Sequence, residues 1–134
     1  MTYQAKDIMS RDVATVRRDA KVKDVIKMLV EHKITGLPVV DSDMYLIGMV
    51  TEKDVLRMLY ESHGHRSAVE DLMTTDIVCF DEDDDLMSVF ESLVQNNFRR
   101  LPILSEGRLT GIISRRDIIR FLFEKAAGPK NTPE

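Results

Sequence analysis

The sequence holds a single cysteine, Cys79, and no tryptophan. One thiol has no partner within the chain, so no internal disulfide is expected. Its setting in the apolar run IVCF, beside no identifiable base, argues for a buried structural thiol rather than a nucleophile. Aromatic residues make up only 6% of the chain, few for the stacking platform that single-stranded nucleic acid needs. The formal net charge of −4 also weighs against general nucleic-acid binding, while leaving room for a local basic pocket. No apolar run approaches the roughly 20 residues that span a bilayer. The opening MTYQAKDIMSRD lacks the basic-then-apolar pattern of a signal peptide. A cytoplasmic protein with no membrane association is expected. No HExxH, glycine-rich phosphate loop or Ser/His/Asp set is found, and no catalytic residue is assigned.

What is present is a core's worth of apolar residues, 43% of 134, written in two copies. DIMSRDV (7–13) matches DLMTTDI (71–77), a shift of 64 residues from Asp7 to Asp71. The same shift carries Leu37-Pro38 onto Leu101-Pro102. One residue is then lost from a turn, where DSDMYLIG (41–48) becomes SEGRLTG (105–111), and VLRMLYE (55–61) still matches IIRFLFE (118–124). A repeat this long means two copies of one supersecondary unit.

Each copy reads alike. VATV (13–16) and IVCF (77–80) are strand-like runs. Val22, Val25, Ile26, Leu29 and Val30 follow at helical spacing, as do Leu86, Val89, Phe90, Leu93 and Val94, each predicting an amphipathic helix with one buried face. LPVV (37–40) and LPIL (101–104) are continuous apolar runs typical of buried strands. A turn, a third strand (YLIGMV or RLTGII) and a second helix close the unit. The predicted fold is α+β, two β-α-β-β-α repeats at 3–61 and 70–127, with a connector at 62–69 and a flexible tail at 128–134.

The second helix of each copy starts on a recurring motif, GMVTEKD at 48–54 and GIISRRD at 111–117. A Thr or Ser three residues before an Asp has the spacing of a capping box, worth about 1 kcal/mol to helix and protein. The same spacing suits a nucleotide. A helix N-terminus offers N–H groups and a positive dipole end to phosphate, and a carboxylate one turn in can accept from two adjacent hydroxyls. A preceding glycine permits close backbone approach. The two readings are compatible, and spacing alone leaves both open.

The ordered set DIMSRDVATV, ITGLPVVD, GMVTEKD, then DLMTTDIVCF, FRRLPIL, GIISRRD, resembles a pair of CBS domains, a Bateman module, over about residues 3–127. The resemblance implies a stand-alone pair packed with pseudo-two-fold symmetry, leaving two clefts for adenosine-containing ligands. AMP, ADP or ATP is the implied ligand, with S-adenosylmethionine or NAD as further members of that class, and no cofactor is required. It implies that Asp54 and Asp117 hold ribose hydroxyls, with Thr51 and Ser114 beside the ribose or phosphate. Lys53 and Arg116 within the motifs, and Leu37, Pro38, Leu101 and Pro102 in the strands before them, belong to the implied ligand-binding set. Arg99 and Arg100 match a position where family members place a phosphate-contacting base. The segment before each repeat's first strand is implied to reach the other repeat's cleft, so that Ala14 serves the Asp117 site and Val78 the Asp54 site.

The copies differ in charge. Arg99, Arg100, Arg115, Arg116 and Arg120 surround the second motif, where the first has Thr35, Gly36, Glu52, Lys53 and Arg57. Arginine forks pair bidentately with phosphate oxygens, which favours an anionic ligand at the second cleft, although exposed arginines also simply face solvent. The run DEDDD (81–85) precedes a helix and reads as a solvated, helix-stabilising acid patch rather than a metal site. His63 and His65 lack a third ligand. The helices at 52–61 and 115–127 are apolar on more than one face, which predicts a homodimer through them. The expected function is a non-enzymatic regulatory module that reports adenosine-ligand state to a partner protein, as yet unknown. The alternative is a ligand-independent dimerisation or assembly module, and the least favoured is a metal-dependent hydrolase using DEDDD.

Overall fold

The computed structural model describes residues 3–61, 68–96 and 98–131. The main elements follow the sequence pattern. Helix α1 (Val22–His32) buries Val22, Val25 and Leu29, and ends on Lys33 in the left-handed conformation (φ 54°), whose N–H meets the carbonyls of Leu29 and Val30. Strands β1 (Gly36–Val40) and β2 (Leu46–Thr51) pair antiparallel, with an irregularity between Val39 and Val40, and β2 runs directly into α2 (Glu52–Glu61). The second copy gives β3 (Phe80–Asp81), α4 (Leu86–Gln95), β4 (Arg100–Ser105), β5 (Arg108–Ser114) and α5 (Arg115–Asn131). Its sheet has the order β3-β4-β5. No helix among the described residues is long and apolar enough to cross a membrane.

Several expectations are corrected. Of VATV only Val16 joins a strand, through a parallel bridge to Val39, with its N–H on the Pro38 carbonyl at 3.1 Å. IVCF yields only the first residue of β3, parallel to β4. The remaining residues of both runs lie where the chain leaves one compact unit for the other, so no partner strand runs beside them. Two short helical turns were not foreseen: a 3₁₀ turn at Ala5–Asp7 and α3 at Val69–Leu72. Each is closed by its own aspartate, Asp7 accepting from the Gln4 N–H at 2.7 Å and Asp71 from the Ala68 N–H at 3.1 Å. Helix α5 continues across Gly128-Pro129 to Asn131, past the boundary at 127. The rest of the tail, 132–134, and most of the connector, with His63 and His65, lie outside the described residues.

The compact units do not coincide with the sequence copies. One holds the chain up to Val13, then Val78–Glu106 and Thr110 onward; the other holds Ala14–Ile77 with Gly107–Leu109. The copies have exchanged their leaders. Ser10 exchanges backbone hydrogen bonds with Ile112 of β5 (both 2.9 Å), and Thr74 with Met49 of β2 (2.8 and 2.9 Å). Each unit has its own core, one built on Leu37, Val39, Val50 and Val69, the other on Leu101, Ile103, Ile113 and Ala5.

The motif glycines make room for the exchanged leaders. A Cβ on Gly111 would stand 2.5 Å from Met9 Sδ and 3.0 Å from the Ser10 carbonyl; on Gly48 it would stand 2.6 Å from Met73 Sδ and 3.1 Å from the Thr74 carbonyl. Each glycine is the seat for the methionine of the exchanged D-x-M leader. Gly111→Ala is therefore expected to cost about 1–3 kcal/mol by overpacking. Adding Met9→Ala should recover part of that loss, a coupling that urea unfolding of the double-mutant cycle measures.

Candidate functional site

The two hydroxyl–aspartate motifs form matching networks where a strand hands over to a helix. At the β2–α2 junction, Asp54 Oδ2 accepts from the Thr51 N–H at 2.8 Å and from the Thr51 hydroxyl at 3.0 Å. The Asp54 N–H returns a bond to Thr51 Oγ1 at 3.3 Å. At the β5–α5 junction, Asp117 Oδ2 accepts from the Ser114 N–H at 2.8 Å and hydroxyl at 2.9 Å, and its own N–H donates to Ser114 Oγ at 3.2 Å. These are capping boxes in geometry as well as spacing.

A further residue, not singled out by the motif, meets each aspartate. Arg57 Nη2 donates to Asp54 Oδ1 at 3.1 Å, and Arg120 Nη1 to Asp117 Oδ1 at 3.2 Å. The signal was present as D-x-x-R in both copies, since residues three apart share a helix face. Asp54 is 3% exposed, the one buried charged side chain among the described residues, and the arginine offsets the cost of that burial. A carboxylate offers about four acceptor positions, and each of these uses three. Some capacity for a ligand hydroxyl remains.

The surroundings differ as the charge pattern indicated. The Glu52 N–H donates to the Thr35 carbonyl at 2.9 Å and the Arg115 N–H to the Arg99 carbonyl at 3.2 Å, so the pairs Thr35/Arg99 and Gly36/Arg100 occupy equivalent positions. Gly36 is tightly enclosed, a Cβ there meeting Thr51 Cγ2 at 3.2 Å. Arg100 stands in its place in the second copy, with its Nε buried and without a hydrogen-bond partner. Burial pushes the Arg100 pKa down and Arg99 adds to this, while the Asp117 carboxylate opposes it. Arginine stays protonated regardless, so a partly buried cation within the electrostatic reach of Asp117 keeps one donor unspent.

The other candidates separate. Leu37 and Leu101 are core residues, and Pro38 and Pro102 are buried beside them. Lys53, Arg99 and Arg116 are exposed. Two arginines counted toward the basic cluster are engaged within the chain, Arg120 with Asp117 and Arg115 through Nε with the Phe98 carbonyl at 2.8 Å. Ala14 packs on the core of the unit that holds Asp54, and Val78 lies in the unit that holds Asp117; the crossover falls just before each. The DEDDD run folds into its own turn, with the Asp81 N–H on Asp84 at 2.8 Å, the Asp83 N–H on Asp81 at 2.9 Å, and Lys6 Nζ on Asp83 at 2.8 Å. Asp85 caps α4 without a side-chain bond. No group of three metal-ligating side chains occurs among the described residues. Burial and, secondarily, Asp84 push the Cys79 thiol up, away from the reactive thiolate.

A family model described as CBS domain matches residues 5–61 and 69–124. The chain is 34% identical to the protein MJ1225 of Methanocaldococcus jannaschii over 117 residues, covering 87% of this chain and 42% of that one. It therefore spans less than half the length of that relative. It is 29% identical to CBSX2 of Arabidopsis thaliana, solved in complex with AMP, at a TM-score of 0.83 over 92% of this chain and 98% of the other. It is 26% identical to the CBS domain pair of MJ0100, solved with 5′-methylthioadenosine and S-adenosyl-L-methionine, at a TM-score of 0.79 over 93% and 99%.

Proposed function

The chain belongs to the CBS-domain family, as a tandem pair, and on that premise we propose that it is a regulatory module binding an adenosine-containing ligand. AMP, ADP or ATP fits the second site best, with S-adenosylmethionine and NAD in the same class. The observation that carries the reading is the buried, unpartnered Nε of Arg100, within the electrostatic reach of Asp117. An orphaned buried donor costs stability, and an anion relieves that cost on binding. Asp117 takes a ribose hydroxyl with its spare acceptor position, while Arg100 and the first turn of α5 take phosphate. The solved relatives with AMP and with S-adenosyl-L-methionine support the ligand class. At the first site Gly36 replaces the guanidinium, so that site takes a less charged ligand or binds nucleotide more weakly. Ligand state reaches a partner protein through differential affinity for two arrangements of the module.

A thermal-shift panel tests this. AMP, ADP or ATP should raise the melting temperature, adenosine less so, since a native-state ligand at 100 times its Kd adds about 2.7 kcal/mol. No shift with any adenosine compound would sink the reading and favour the ligand-independent assembly module, for which the caps alone suffice.

The same module is a homodimer in this reading. Leu56, Leu59 and Tyr60 of α2 are exposed, as are their counterparts Ile119, Leu122 and Phe123 of α5. Such apolar faces call for a partner surface. The double variant Leu59→Asp/Leu122→Asp should run as a monomer in light scattering where the parent runs as a dimer.

A further inference from the structure

The two leaders dock in the same way on loops of opposite charge. In the unit that holds Asp117, the Ala5 N–H donates to the Asp84 carbonyl and the Lys6 N–H to the Glu82 carbonyl, each at 2.9 Å. In the unit that holds Asp54, the Val69 N–H donates to the Ala20 carbonyl at 2.9 Å and the Glu70 N–H to the Arg18 carbonyl at 3.0 Å. The 64-residue shift carries Ala5 onto Val69, Lys6 onto Glu70, Arg18 onto Glu82 and Ala20 onto Asp84, so each bond has its counterpart. The antiparallel bridges Gln4–Asp85 and Ala68–Lys21 correspond in the same way.

What changes between the dockings is charge. Lys6 Nζ lies 2.8 Å from Asp83 Oδ1, whereas Arg18 Nε faces Glu70 Oε2 at 4.0 Å. The leader supplies the cation in one unit and the acid in the other. Asp83 foremost, then Glu82 and Asp7, hold the Lys6 pKa above its ordinary value. The contrast extends along both partners. RRDAK (17–21) has three cations and one acid, and its counterpart DEDDD (81–85) has five acids. The leader QAKDIMSRD (4–12) has two charges of each sign, while AVEDLMTTD (68–76) has three acids and no cation.

The apolar part of the docking does not tell the leaders apart. Both bring a methionine, Met9 or Met73, to a glycine, Gly111 or Gly48. Both also pair the next residue, Ser10 or Thr74, with the strand through two backbone bonds. A leader that stayed with its own copy would meet the same kind of seat, but it would set Glu70 against DEDDD and Lys6 against Arg17 and Arg18.

We propose that these charges select the exchange: the acidic loop 81–85 accepts the Lys6 leader and rejects the Glu70 leader, and the basic loop 17–21 does the reverse. An exposed ion pair contributes little by itself. A choice between two dockings depends on their difference, and each wrong docking replaces attraction by repulsion. The selection places Ser10 rather than Thr74 beside β5, and so fixes which leader borders which hydroxyl–aspartate motif. It holds whether or not a ligand binds.

Disulfide mapping in a Cys79→Ser background tests it. Ser10 and Ile112 exchange both backbone bonds, an arrangement that sets Cα atoms about 5.5 Å apart, within disulfide reach. The pair Ser10→Cys/Ile112→Cys should therefore close in the parent. Met49 is the first copy's equivalent of Ile112, so Ser10→Cys/Met49→Cys reports the unexchanged docking and should stay open. Swapping the leader charges, Lys6→Glu/Glu70→Lys, should lower closure of the first pair and raise that of the second. Adding Arg18→Glu, Glu82→Arg and Asp83→Lys should restore the parent pattern, and should recover folding if the leader swap alone loses it. These changes spare Asp81 and Asp84, which close the loop's own turn. A leader swap that keeps the parent pattern would show that chain connectivity sets the exchange, and overturns the proposal. Loss of the first pair without closure of the second, in a chain that still folds, overturns it too, as does a combined variant that stays unexchanged or unfolded.

Discussion

Arg100→Met is expected to leave the ligand-free protein at least as stable as the parent while lowering its affinity for AMP roughly 10- to 100-fold. The two halves have one cause. Arg100 Nε is buried and bonded to nothing, and a buried unsatisfied donor costs about 1–3 kcal/mol. Methionine keeps the apolar stem and removes the donor. A hydrogen bond to a charged group is worth about 1.5–3 kcal/mol, so a phosphate-bearing ligand loses that much while adenosine loses little. Arg100→Lys should recover part of the affinity as a point charge without the planar fork. Urea unfolding and calorimetry with AMP and adenosine check both halves. A destabilised variant with unchanged AMP affinity would show that Arg100 is structural.

Asp117→Ala should cost both stability and binding, and Ser114→Ala mainly stability. Asp117 closes the α5 cap and holds Arg120, with Oδ2 taking two bonds and Oδ1 one. Removing the carboxylate strands these donors and costs about 1–3 kcal/mol. It also removes the acceptor for a ribose hydroxyl, so AMP affinity should fall by roughly 10- to 100-fold, the equivalent of one charge-assisted bond. Ser114→Ala loses only the cap's hydroxyl, about 1 kcal/mol. The discriminating readout is sugar preference. The parent should favour AMP over its 2′-deoxy analogue, and Asp117→Ala should not, whereas Ser114→Ala keeps the preference.

What could be read from sequence was what depends on neighbours along the chain. The Thr51/Asp54 and Ser114/Asp117 pairs are local geometry, and their spacing is that of the capping networks the structure contains. The repeat and its helices were legible for the same reason. The exchange of leaders was not, because Met9 meets Gly111 and Met73 meets Gly48 across long stretches of chain. A methionine in one motif and a glycine in another give no periodic signal. Periodicity identified Ile26 and Val30 as apolar but not what covers them, and they prove exposed. The contrast between Thr35-Gly36 and Arg99-Arg100 was visible as composition, yet only the fold shows that Arg100 Nε is buried and unspent while Arg115 and Arg120 are engaged.

The central proposal is that the two sites are unequal and that the Asp117 site is the nucleotide site. Calorimetric titration of AMP into the parent, Asp54→Ala and Asp117→Ala tests it most directly. The account predicts a dominant binding event that is kept in Asp54→Ala and weakened at least tenfold in Asp117→Ala. Equal loss from the two substitutions, or no AMP binding by the parent, would contradict it.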